Sequence, residues 1–303
     1  MQEQDIIDRL IKNDVLFNDI YIIKQKFDIL PCEKDHYGVS IDYQDIQELR
    51  DDFLYDLLDT IAEWVYNSEK YRELINCEIK KNKSASTAAS TILRKVKQKF
   101  RKGMDDKLLV QGQFGELLLF HFLQRFMHAV PLLRKMKITT STQHERFGAD
   151  AIHYKVKDNK NIIILGEAKT YSSEYKFKSA FDDALVSILD TYKNHRNELN
   201  LYVHEDFLDG EMDKIAEAYL DKSLKNVEVH LVSLVIYDET KKINLISEDR
   251  IREQIKQVVE TRYREFDNGK IDVVNNPILE RITYIVFPIW NLKELIKEFQ
   301  NQL

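Results

Sequence analysis

Apolar positions recur along the chain with two periods. From Asp42 onward, Ile46, Leu49, Phe53, Leu57, Ile61 and Trp64 follow at spacings of three and four, the stripe of a buried helix face, and predict one helix over this stretch. Similar runs cover Gly112 to His128 and Tyr175 to Lys193, with further helices expected at Glu211 to Leu220, at Glu248 to Arg264 and at the chain's end. Between them lie β-rich pieces: Lys137 to Ser141, Ala149 to Val156, Ile162 to Lys169, Val227 to Tyr237 and the apolar run Ile282 to Ile289. Strands alternating with helices predict an α/β fold, a mixed sheet flanked by helices. The small polar stretch Lys81 to Thr91 reads as a hinge, dividing a mainly helical N-terminal region, residues 1–104, from a C-terminal domain, residues 105–303.

Composition excludes several classes. With 44% apolar and 32% charged residues among 303, the chain has the makeup of a globular protein of about two domains. Only 8 glycines and 4 prolines argue against collagen-like, low-complexity or turn-rich all-β architectures. No apolar run approaches the ~18 residues of a membrane span. The opening MQEQDIIDRL has no basic, then apolar, leader, so a cytoplasmic location without a membrane partner is expected. Cys32 and Cys77 stand alone, without the spacing of a structural zinc site.

A net charge of −6 hides an uneven distribution. Residues 79–104 hold Lys80, Lys81, Lys83, Arg94, Lys95, Lys97, Lys99, Arg101 and Lys102 with no acid among them, which leaves the rest of the chain at −15. Such a segment is a candidate contact for nucleic-acid phosphates, at Arg94, Lys95, Lys97, Lys99, Arg101 and Lys102, and Lys176 and Lys178 are candidates further on. Upstream, Asp45, Glu48, Asp52, Asp56, Asp59 and Glu63 keep the helical spacing of the apolar stripe, and are expected to form an acidic ridge beside it.

Phosphate loops, GxGxxG, GxSxG and HExxH patterns are all absent. GQFG at Gly112 to Gly115 matches a KH-type loop, a weak signal at that length. The informative stretch is ILGEAK, Ile164 to Lys169, at the end of an apolar strand: Glu167 and Lys169 share a strand face while Ala168 packs on the other. Asp150 opens the preceding strand, 17 residues before Glu167. Glu116 interrupts the apolar face of the helix before that, where a carboxylate is costly without compensation. Three carboxylates converging on one point repel unless a cation neutralises them, and oxygen-only donors favour Mg²⁺, with Mn²⁺ as a substitute. His121, His144 and His153 lack metal-ligand spacing to one another and read as core or solvent-facing histidines, with His144 placed to assist at a phosphate.

A helix acid, then a hairpin carrying D…ExK, resembles the PD-(D/E)xK, restriction-endonuclease-like, nuclease superfamily over about residues 110–195, with Ala149 where the name implies proline. The resemblance implies a restriction-endonuclease-like mixed sheet and catalytic residues Glu116, Asp150, Glu167 and Lys169. Mg²⁺ would be held by Glu116, Asp150, Glu167 and the carbonyl of Ala168. Lys169, an ammonium beside carboxylates, would position the attacking water and stabilise charge on the phosphate. The order QFGELLL, ERFGADAIHY, LGEAKTY in a chain of this length also resembles the nuclease-subunit family of the Hachiman antiphage defence system. That implies a metal-dependent deoxyribonuclease controlled by a helicase partner. A catalytically idle nucleic-acid-binding or adaptor subunit is the alternative, but such a copy would be expected to lose one of the four site residues.

Overall fold

A computed structural model describes residues 15–99, 107–133, 149–173, 177–202 and 210–303. After a short 3₁₀ turn, β1 (Ile20–Lys26) and β2 (Asp35–Ile41) lead to a small hairpin, β3 (Tyr43–Gln44) and β4 (Gln47–Glu48). Helices α1 (Arg50–Asp59), α2 (Ile61–Val65), α3 (Ser68–Ile79), α4 (Ala85–Lys97) and α5 (Lys107–Met127) follow. Then come β5 (Val130–Leu133), β6 (Ala151–Lys157), β7 (Lys160–Tyr171), α6 (Phe177–Tyr202) and α7 (Gly210–Leu220). The chain continues through β8 (Val227–Asp238), α8 (Glu248–Glu265), β9 (Ile282–Ile289) and α9 (Leu292–Gln302).

Seven strands form one mixed sheet in the order β1-β2-β9-β8-β7-β6-β5. Its four central strands run parallel, while β1 and the pair β6–β5 are antiparallel additions at the two sides. Alternate residues of the central strands feed two cores. Ile162, Ile164, Val232, Leu234, Ile285 and Phe287 pack with α1, α2, α4, α5 and α9. Ile163, Leu165, Leu231, Val235, Tyr284 and Val286 pack with α6, α7 and α8 on the other face. Strands buried on both faces read as continuous apolar runs, as they do here.

Three expectations change. The first third of the chain is not a separate helical region: β1 and β2 extend the sheet through Tyr37↔Ile285 and Gly38↔Val286, so a boundary at residue 104 cuts across it. The helix expected from Asp42 starts only at Arg50, because Asp45 adopts φ 57° in the β3–β4 turn, and it breaks at Thr60, whose hydroxyl bonds Leu57 O at 2.7 Å. Asp45 and Glu48 therefore leave the ridge for the hairpin. Lys81 to Thr91 is not a hinge: Ser84 caps α4 by accepting a bond from Thr87 N, and the alanines that follow are helical. The stretch Lys137 to Ser141 lies outside the described residues.

Candidate active site

Strand β7 outruns its neighbour. Pairing with β6 ends at Ala151↔Gly166, with one further bond from Asp150 N to Gly166 O at 3.1 Å. Past that point β7 keeps β8 on one side and opens a cleft of about 520 Å³ on the other. Glu116, Asp150, Ala168 and Lys169 line it, together with Gln111 and the turn at Ser172. Asp150, 8% exposed, accepts a bond from Ala168 N on Oδ2 at 2.9 Å. A strand residue sends its N–H and C=O to the same side, so the Ala168 carbonyl also faces the open edge.

Two glycines bring Glu116 here. A Cβ on Gly115 would stand 2.4 Å from Thr170 Oγ1 and 3.4 Å from the Ala168 Cβ, and one on Gly166 would stand 3.0 Å from the Leu119 and Leu123 side chains. Without side chains at either point, α5 lies close against β7 and delivers the next residue, Glu116, to the strand edge. GQFG is thus the inside of a helix, which removes the KH-loop reading. Gln111, one turn earlier, locks the junction: its amide donates to Thr170 O, and its Oε1 accepts from Ser172 Oγ at 2.8 Å.

Glu167 shares a strand face with Lys169 and turns away from Ala168, as strand alternation requires, onto the helix α6. Its Oε1 accepts from Ser187 Oγ at 2.5 Å and from Lys169 Nζ at 3.0 Å, and its Oε2 from Thr191 Oγ1 at 3.1 Å. Ser187 and Thr191 sit one turn apart on α6, and sequence reading missed both; the signal was a pair of hydroxyls at i, i+4 on the helix face that also buries Ala184 and Ile188. Lys169 keeps 29% of its side chain exposed against 5% for Glu167, so it bridges the buried carboxylate and the cleft. Among the described residues, no three Asp, Glu, His or Cys side chains are grouped to hold one metal ion. Glu116 and Asp150 share the cleft, and Glu167 stands behind Lys169.

The other candidates disperse. Lys95 bonds Glu78 at 2.8 Å, Lys97 bonds Gln302 O at 2.5 Å, and Lys99 lies 4.5 Å over the Tyr66 ring. Arg94 is exposed beside a groove shared with Ser90 and Lys97. Lys178 is exposed on the first turn of α6, whereas Arg101, Lys102, His144 and Lys176 lie outside the described residues. His121 and His153 are core side chains, each 1% exposed or less with its ring against Phe120. Both cysteines are exposed free thiols, and no described helix is long and apolar enough to cross a membrane.

No curated protein matches the chain. A family model, HamA, matches residues 15–303, spanning the sheet, both cores and every described member of the cleft. The chain therefore belongs to the HamA family, a component of the Hachiman antiphage defence system.

Proposed function

We propose that this chain is a metal-dependent deoxyribonuclease of the restriction-endonuclease-like, PD-(D/E)xK, type, acting as the effector of its defence complex under a helicase partner. The observation that carries this reading is the meeting of Glu116, Asp150, the Ala168 edge and Lys169 at the one place where β7 has lost its neighbour. The donors there are all oxygen, two carboxylates and a carbonyl. That set suits Mg²⁺, which takes one or two protein carboxylates and keeps several waters. Glu116, Asp150 and Ala168 would hold the ion, and its charge would polarise a phosphodiester and acidify a water.

The chain's own groups do the rest. Lys169 presents a fixed positive charge to the cleft, where charge builds on the phosphate during displacement, and an ammonium aimed at that position stabilises it. Glu167 fixes the Lys169 side chain, and Ser187 and Thr191 fix Glu167. Gln111 and Ser172 keep the exit of β7 against α5, which sets the width of the cleft mouth.

The test is purified protein on plasmid, linear and single-stranded DNA with Mg²⁺, then with EDTA, each with and without the neighbouring defence subunit. Mg²⁺-dependent cleavage abolished by EDTA is the expected result. Binding of DNA or of the partner without cleavage under any condition would replace this reading with the idle adaptor.

A further inference from the structure

The end of the sheet away from the cleft carries an unusual group of cations. Parallel β2, β9, β8 and β7 all begin there and antiparallel β6 ends there. Lys34 precedes β2, Arg281 precedes β9, His230 lies near the start of β8 and Lys155 near the end of β6. Lys34, Lys155 and His230 are half-buried, with Arg281, Lys24 and Lys157 exposed around them.

Among the described residues, the acids paired with this group are fewer than its cations, and each already holds one or two cations. Glu228 accepts Lys160 at 2.7 Å and His230 at 3.2 Å, and Asp35 faces Lys24 at 3.9 Å. Lys155 donates to a backbone oxygen, Met127 O at 2.8 Å, at the C-terminal end of α5. The cations act on one another: burial, then Lys155 and Arg281, push Lys34 down to about 8, and burial followed by Lys34 and Lys155 lowers His230 against the pull of Glu228. Lys155 is lowered by burial, Lys157 and Lys24. Gathered, partly desolvated cations that outnumber their acids are stabilised by an anion brought from outside.

We propose that Lys34, Lys155, Arg281 and His230 form a second phosphate-group-binding site, at the opposite end of the sheet from the cleft. Its ligand chemistry is a phosphoryl oxygen cluster, supplied either by a nucleic-acid backbone or by a free nucleotide or pyrophosphate. Arg281 offers a planar fork and the two lysines point charges, which together recognise a tetrahedral dianion or successive backbone phosphates.

Full-length protein in EDTA, so that no cleavage enters, is acylated briefly at pH 8 with and without ligand, and lysine labelling is read by mass spectrometry. The probes are inorganic pyrophosphate and a twelve-residue oligothymidylate without terminal phosphates. Occupancy should slow labelling of Lys34 and Lys155 at least fivefold, because a bound anion holds both amines protonated. Protection by the oligonucleotide alone assigns a backbone, and protection by pyrophosphate alone assigns a free phosphate ligand. The double variant Lys34→Gln/Arg281→Gln should melt no lower than wild type, should lose the protection at Lys155, and should bind the protecting probe about tenfold more weakly. Lys169→Ala should retain that protection. Unprotected lysines with both probes at millimolar concentration, or protection that survives the double variant, would overturn the site and leave the nuclease reading untouched.

Discussion

Glu78 and Glu167 are both carboxylates with side chains only 5% exposed, yet they serve opposite purposes. Glu78 sits at the end of α3 and takes three lysines from its own neighbourhood: Lys81 at 3.1 Å, Lys83 at 2.6 Å and Lys95 at 2.8 Å. It neutralises part of a segment that looks uniformly basic when charges are counted from residue 79. Among the described residues, Glu167 accepts from Lys169 and from two hydroxyls of a helix 20 and 24 residues further along. Lys169 also lines the cleft. A count of charges along the chain thus overstates the free basicity of α4.

The largest expected effect separates the two directly. Asp150→Asn, Glu116→Gln or Lys169→Ala should each lower Mg²⁺-dependent plasmid cleavage by about 10²-fold or more while thermal melting stays near wild type. Glu78→Gln should leave cleavage within a few-fold, and an equal loss there would erase the contrast.

Next in size is the hydroxyl clamp. Ser187→Ala with Thr191→Ala removes two donors from Glu167 and should slow turnover about tenfold, in kcat and not in KM. The conservative Thr191→Ser should restore most of the rate. A merely structural role would lower the melting temperature without this split.

Glu78 should reveal itself in acid. Its lysines hold the carboxyl well below the ordinary carboxylate range, so the stability it adds is present above about pH 4.5, its unfolded value, and is lost as pH falls below that. Melting temperature followed from pH 6 to pH 3 should therefore drop less steeply in Glu78→Gln than in wild type. The same variant frees three lysines and should steepen the salt dependence of DNA binding if α4 contacts phosphates.

The smallest effect comes from a carboxylate whose charged neighbours among the described residues are other acids. Burial, then Asp56 and Asp52, push Asp19 up to about 6, so its ionisation opposes folding as pH rises from about 4 through 6. Asp19→Asn should raise the melting temperature by a few degrees at pH 7.5 and leave it unchanged at pH 4. An unchanged value at both would remove Asp56 and Asp52 as the cause.

Helices α5, α6, α8 and α9 and strands β6 to β9 were legible in the chain's own pattern, because periodicity and β-branched runs are local properties. It also singled out Glu116, Asp150 and Lys169, since acids and a lysine set into apolar elements are visible wherever those elements end up. Packing between distant parts of the chain set the rest. Strands β1 and β2 join the sheet through a partner about 250 residues away, a pairing that no local pattern encodes. The helix predicted from Asp42 broke because the hairpin at Asp45 and the Thr60 hydroxyl overrode an apolar spacing that both conformations satisfy. Which way Glu167 turned was set by strand alternation, but the two hydroxyls that receive it were set by how α6 packs on β7. Long-range register, unlike periodicity, is decided by which buried faces meet, and that information is spread over the whole chain.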